Sequence, residues 1–178
     1  MSLVVGLALG LVSAVVAQLG GAAKASANEI NGLVTDSEGK PAPHVLVSLL
    51  PSFSPTEKQT DSEGRFTLTF NPNQFGAAAA TQPIVVARDP PRNLAAVLDL
   101  EEGATNASVR LEPALTLAGR ITDPNGKPLT NAQAQALFHT ERMASYLGPP
   151  VRADAEGRFE IKGLPPGRQY SVNAPQTR

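Results

Sequence analysis

Downstream of residue 28 the apolar side chains recur at every second position, in short runs broken by Gly, Pro, Asp and Asn. That period is the mark of half-buried β-strands. The clearest run is Arg65 to Phe70, where Phe66, Leu68 and Phe70 alternate with Arg65, Thr67 and Thr69. Glu29 to Thr35 carries Ile30, Leu33 and Val34, and His44 to Leu50 sets Val45, Val47 and Leu49 on one face. A polar strand over Glu57 to Asp61 follows, then Ile84 to Arg88, Leu94 to Leu100 and Ser108 to Leu111. Asn71 to Gln82 reads as a loop, its four alanines too few to nucleate a helix. Seven such strands between residues 28 and 113 predict a complete Greek-key sandwich. Near the other end, Phe159 and Ile161 alternate with Arg158, Glu160 and Lys162. Gly163, Pro165, Pro166 and Gly167 are expected to stop that strand before Tyr170, Val172 and Ala174 resume the alternation.

The turns repeat. Gly32 to Pro41 (GLVTDSEGKP) aligns with Gly119 to Pro128 (GRITDPNGKP), and Asp61-Ser-Glu-Gly64-Arg65-Phe66 aligns with Asp154-Ala-Glu-Gly157-Arg158-Phe159. The two landmarks recur in the same order, with six extra residues between them in the second copy. A tandem is expected. The repeat also decides how to read Asn131 to Met143, whose Ala, Gln, Glu and Leu favour a helix by propensity. That stretch occupies the place of His44 to Leu50, and Ala132, Ala134, Ala136 and Phe138 alternate. We therefore expect a strand to Phe138, followed by an irregular or briefly helical crossing. The second copy has about five candidate strands, so an open edge and a partly exposed core are expected there.

These residues resemble the carboxypeptidase regulatory-like family, a transthyretin-like or prealbumin-like sandwich. The second copy matches its pattern through Gly119, Asp123, Gly126, Pro128, Asp154, Gly157, Phe159, Ile161, Leu164, Pro166, Gly167 and Tyr170. The first copy matches in its first hairpin and at Gly64-Arg65-Phe66, and departs at Asn71-Pro72-Asn73. The resemblance implies tandem all-β prealbumin-like sandwiches at 28–113 and, incomplete, at 114–178. It further implies a non-catalytic accessory domain of exported bacterial proteins. The hydrolase activity found on one branch of this fold goes with a Tyr-Arg-Gly-Ser-like tail, which Ala174 to Arg178 does not supply.

Composition changes the picture in three places. Fifteen basic and sixteen acidic residues give no patch for nucleic acid. The absence of cysteine excludes disulfides, thiolate metal sites and a cysteine nucleophile. Residues 1–23 hold no charge and a dense Leu/Val run, followed by Ala23-Lys24-Ala25 and Ala25-Ser26-Ala27. This reads as a signal segment, 1–27, directing the chain to the periplasm or outside. The alternative is a retained membrane anchor over residues 3–23.

Candidate chemistry is sparse. Each turn carries one or two carboxylates beside a Gly or Pro, which is turn chemistry and not a calcium loop. His44 and His139 lack the further ligands a zinc site needs, and no serine triad can be assembled. Neither a catalytic set nor a cofactor is expected. The contact surface that stands out is Tyr146, Leu147, Pro149 and Pro150, in the crossing that is longer in the second copy; Phe53 and Phe75 raise the same question more weakly. Tyr and Pro there can stack on a sugar ring or a peptide, and the competing reading is a loop folded over its own core. The expected function is a structural spacer or interaction module. One alternative is a carbohydrate- or peptide-binding module, and another is the accessory part of an enzyme whose catalytic domain lies beyond Arg178.

Overall fold

The computed structural model describes residues 29–52, 56–69, 82–140 and 143–174, and these form an all-β sandwich architecture. The leader, Phe53, Phe75 and the loop expected over 71–82, all but its last residue, lie outside the described residues. In chain order the strands are β1 (Glu29–Thr35), β2 (Leu46–Leu50), β3 (Lys58–Gln59), β4 (Arg65–Thr69), β5 (Ile84–Asp89), β6 (Leu94–Asp99) and β7 (Asn106–Arg110). They continue as β8 (Glu112–Pro113), β9 (Leu115–Arg120), β10 (Gln133–His139), β11 (Ala144–Arg152), β12 (Arg158–Leu164) and β13 (Gln169–Asn173).

One sheet has the order β4-β1-β7, with β1 antiparallel to β4 and parallel to β7. It faces a five-stranded antiparallel sheet of order β3-β2-β5-β6-β8. Between them lies one apolar cluster, with Ile30 and Val34 from β1, Phe66 and Leu68 from β4, Ala107 and Val109 from β7, and Val47, Val85, Ala87 and Ala96 from the larger sheet. Phe66 needs Gly32 opposite it, because a Cβ on Gly32 would lie 2.3 Å from the Phe66 ring and 2.5 Å from the Ala107 carbonyl oxygen.

The chain then repeats its hydrogen-bond frame. Asp36 Oδ1 accepts from the amides of Glu38 and Lys40 at 2.8 and 2.9 Å, and Asp123 Oδ1 accepts from Asn125 and Lys127 at the same two distances. Asp61 accepts from Glu63 and Arg65 as Asp154 does from Glu156 and Arg158. Val34 N donates to Gly64 O and Ile121 N to Gly157 O, both at 2.8 Å. Even the strained positions correspond: His44 and Asn131 have φ of 59° and 61°, a left-handed conformation uncommon for residues with a Cβ.

The later strands form a two-stranded sheet, β12-β9, and a three-stranded sheet of order β11-β10-β13. Their apolar cluster contains Ala134, Ala136, Phe138, Leu147, Phe159, Ile161 and Leu164. It also contains Leu50 of β2 and Ile84 and Val86 of β5. Strand β5 is thus buried on both faces: Val85 and Ala87 point into the first cluster, Ile84 and Val86 into the second. Each of the Ile and Val side chains among these contributes roughly 1.5–3 kcal/mol by its burial. The half expected to lie open is therefore partly closed by the back of the five-stranded sheet, while Leu117 and Ile121 stay half-buried and Leu115 is 47% exposed.

Three local expectations need correction. The stretch expected as an irregular or helical crossing is strand β11, and just before it Thr140 N donates to Met143 O at 2.8 Å. Gly148 at φ 70° and a register shift between Ala134 and Ala136 let this edge strand carry Pro149 and Pro150; an edge tolerates residues that cannot donate to a ladder. Gly163 does not stop its strand, which runs to Leu164 through an irregularity at φ 69°. The second strand begins at Leu46 instead of His44, because His44 holds the left-handed conformation just before it.

Candidate functional site

The densest polar chemistry in the described residues lies where the two clusters meet, around Arg88. Alternation along β5 sends Ile84, Val86 and Arg88 to the same side, so the charged residue follows two aliphatic ones into the junction. Its side chain is 5% exposed and forms an ion pair with Glu57 at 2.9 Å, whose own side chain is 15% exposed. Nε donates to Gly163 O at 3.1 Å, and Nη2 lies 3.4 Å from Lys162 O. A guanidinium has enough donors in one plane to serve the carboxylate and both carbonyls. Burial lowers the Arg88 pKa from its ordinary value, opposed by the Glu57 charge and hydrogen bond. An arginine keeps its proton even so.

Gly148 makes room for this group: a Cβ there would lie 2.0 Å from Arg88 Nη1. Asn93, at φ 50° in the turn between β5 and β6, accepts from Gly163 N at 3.0 Å and donates to Ala114 O at 3.0 Å. Gly163 itself packs on Pro90, where an added Cβ would come within 3.2 Å of the backbone. Two further links flank the centre, Ser52 N to Ser145 Oγ at 3.1 Å and an Arg168–Asp99 ion pair. Among the described residues no buried side-chain nitrogen or oxygen lacks a partner. At the junction of the two apolar clusters the polar groups are saturated by one another.

Beside it, an open cavity of about 380 Å³ lies between Pro43, His44, Gln59 and the Pro90–Arg92 turn. Arg92 is paired there with Asp89 at 2.5 Å.

The residues singled out from sequence fall on β11, at the edge of its sheet. Leu147 is 1% exposed and belongs to the second cluster. Tyr146 is half-buried, its hydroxyl accepting from Asn173 Nδ2 at 2.9 Å. Pro149 and Pro150 are exposed. The four therefore do not share one accessible surface. His44 and His139 are both exposed, and His139 Nε2 lies 2.7 Å from Ser171 Oγ across the β10–β13 ladder. The turn carboxylates are occupied by backbone amides. Lys40 N is the chief cause that holds Asp36 below the usual carboxylate range, and Arg158 N does the same for Asp154. Tyr170 is pushed above its ordinary value by burial, its hydroxyl donating to Pro165 O at 2.7 Å.

Sequence reasoning missed Arg88 and Glu57. The signal was the run Ile84-Val-Val-Ala87, apolar at every position where a one-sided strand would alternate.

No family model matches the chain, and no curated protein matches it in sequence. Among solved structures it is similar to a streptococcal ancillary pilin, at 11% identity and a TM-score of 0.31 over 84% of this chain and 59% of that one. It spans about three fifths of that pilin. It is also similar to the shaft pilin SpaA of Lactobacillus rhamnosus GG, at 11% identity and a TM-score of 0.33, covering 85% of this chain and 88% of that one. A DUF3823 family protein from Parabacteroides merdae gives 13% identity and a TM-score of 0.34, covering 83% and 80%.

Proposed function

We propose that this chain is an exported, non-catalytic structural protein whose two carboxypeptidase regulatory-like sandwiches, 28–113 and 114–178, act as a spacer and interaction module. The observation that carries this reading is β5, which is common to both apolar clusters and brings the buried Arg88–Glu57 pair to their junction. A flexible tether between independent domains would leave the outer face of β5 in water. Here the face is closed, and two sandwiches fixed in one orientation transmit position and load as one body. The recurring Asp turns and the matched bonds of Val34 and Ile121 support a duplicated plan.

Denaturant unfolding of the chain from residue 28 onward, followed by probes in each half, tests this reading. Coincident transitions and an X-ray scattering profile matching one rigid particle are expected. Separate transitions with a scattering profile that demands a mobile linker would overturn it.

A further inference from the structure

We propose that Asn125-Gly126 is a site of spontaneous covalent modification, at which the asparagine converts through a cyclic imide to aspartate and isoaspartate, while Asn31-Gly32 in the same chain is protected. This goes beyond the spacer reading and does not depend on it.

The chemistry needs a main-chain nitrogen that can reach the side-chain carbonyl carbon of the residue before it. Glycine allows this most readily, because no Cβ blocks the approach and its backbone turns freely. Among the described residues two asparagines precede a glycine, Asn31 and Asn125, and both are exposed. What separates them is the backbone.

Asn125 lies in the turn between Asp123 and Lys127, and its side chain forms no hydrogen bond among the described residues. The Gly126 amide donates to Asp123 O at 3.0 Å, outside any sheet ladder. Gly126 stands at φ 80° in open space, where even an added Cβ would meet nothing within 4 Å. The peptide plane can therefore rotate once that bond opens. Asn31 instead lies inside β1, opposite Thr67 of β4 and Asn106 of β7. Its Oδ1 accepts from Thr67 Oγ1 at 2.7 Å and its Nδ2 donates to Glu29 Oε1 at 3.1 Å. Gly32 is pinned against the Phe66 ring. Rotating the Asn31-Gly32 peptide would break pairing on both sides of a central strand, and such opening costs far more than opening a surface turn.

The conversion balances with water alone. Gly126 N, after giving its proton to solvent base, attacks Asn125 Cγ; the Cγ–Nδ2 bond breaks and ammonia leaves with that proton. Water then opens the succinimide ring at either carbonyl. Cleavage between Cγ and Gly126 N gives aspartate, whereas cleavage at the original main-chain carbonyl gives isoaspartate, with the chain running through Cγ. One water is consumed and one ammonia released.

The first copy shows what the product resembles. Glu38 N donates to Asp36 Oδ1 at 2.8 Å as Asn125 N does to Asp123 Oδ1, so Glu38 and Asn125 occupy matching places. Glu38 is paired with Lys40 at 2.6 Å, and Lys127 stands where Lys40 does. Conversion thus gives the second turn the carboxylate the first already has, and makes the formal net charge of −1 more negative by one. In the isoaspartate form the main chain also gains a methylene between the amides of residues 125 and 127, the two that share Asp123 Oδ1.

The test incubates the full chain in mildly alkaline buffer, with and without denaturing guanidinium chloride, and places each amide-to-carboxyl conversion by mass spectrometry of fragmented proteolytic peptides. In the folded chain Asn125 should convert about tenfold or more faster than Asn31. In denaturant, where neither backbone is held, the two should convert at comparable rates. Two chromatographically distinct products of equal mass at position 125 are expected from the ring. Asn125→Gln keeps an amide but would have to close a larger ring, so it should stay unmodified over the same period. Equal rates at Asn31 and Asn125 in the folded chain would overturn the proposal, as would an Asn125 that stays intact while the denatured chain converts. Aspartate as the sole product at 125 would mean direct hydrolysis and would overturn the imide route.

Discussion

Ile30 and Leu117 occupy matching places in β1 and β9, as do Val34 and Ile121, yet the first of each pair is sealed and the second is half in water. The turns that flank them are built alike, down to the same amide donors on Asp36 and Asp123. What differs is the neighbour: β7 lies against β1, and no described strand lies against β9. Turn chemistry thus sets the path of the chain in both halves, while burial is set by what packs beside the strand. The second half recovers part of the missing cover from elsewhere, since Leu50, Ile84 and Val86 of the five-stranded sheet join its core.

The largest way to break this comparison is at the shared wall. Arg88→Ala leaves the Glu57 carboxylate and the Gly163 and Lys162 carbonyls without their donor. Removing one member of a buried pair costs about 3–5 kcal/mol. The expected result in urea is a loss of that size that destabilises both halves together. Pairing Arg88→Met with Glu57→Gln should recover most of it, because no unpaired charge remains. A loss below about 1 kcal/mol, the worth of a solvent-exposed pair, would show that the junction does not close over these groups.

A smaller contrast sharpens the difference in cover. Ile30→Ala removes a sealed side chain and should cost about 2–5 kcal/mol. Leu117→Ala removes one that water already reaches, so its cost should be less than half as large. Urea midpoints of the two variants measure this directly. Equal losses would mean that the β9 side chains are as well covered as those of β1.

Much of this plan was legible before any coordinates. The period-2 runs Phe66-Thr-Leu68 and Phe159-Glu-Ile161 lie on β4 and β12, and the Asp-x-x-Gly turns sit where the repeat placed them. Those signals are local: an Asp that caps its own turn needs no distant partner. The junction was not legible, because it depends on which face of β5 meets which sheet, a choice made by packing between segments far apart in the chain. The placement of Tyr146 to Pro150 was not legible for a related reason. Its register against β10 buries Leu147 and leaves Pro149 and Pro150 outside, and a bulge set that register.

The smallest expected effect lies in acid. Asp36 and Asp154 both titrate below the carboxylate value of 3.8, the first chiefly through Lys40 N and the second chiefly through Arg158 N, with Arg158 Nε adding a bond at 3.0 Å. A carboxyl whose pKa is lower in the folded state contributes stability above its unfolded pKa and loses it as pH falls through the folded value. Urea unfolding from pH 7 downward should therefore show stability falling once pH drops below the ordinary Asp range. Asp154→Asn keeps an oxygen for the amides of Glu156 and Arg158 but removes the charge, so it should flatten that decline more than Asp36→Asn, which has no arginine side chain bonded to it. Asp154 is exposed and Asp36 half-exposed, so solvent screens both, and the difference should shrink as salt is raised. An Asp154→Asn variant with the same acid slope as the parent would show that its turn is held by geometry alone.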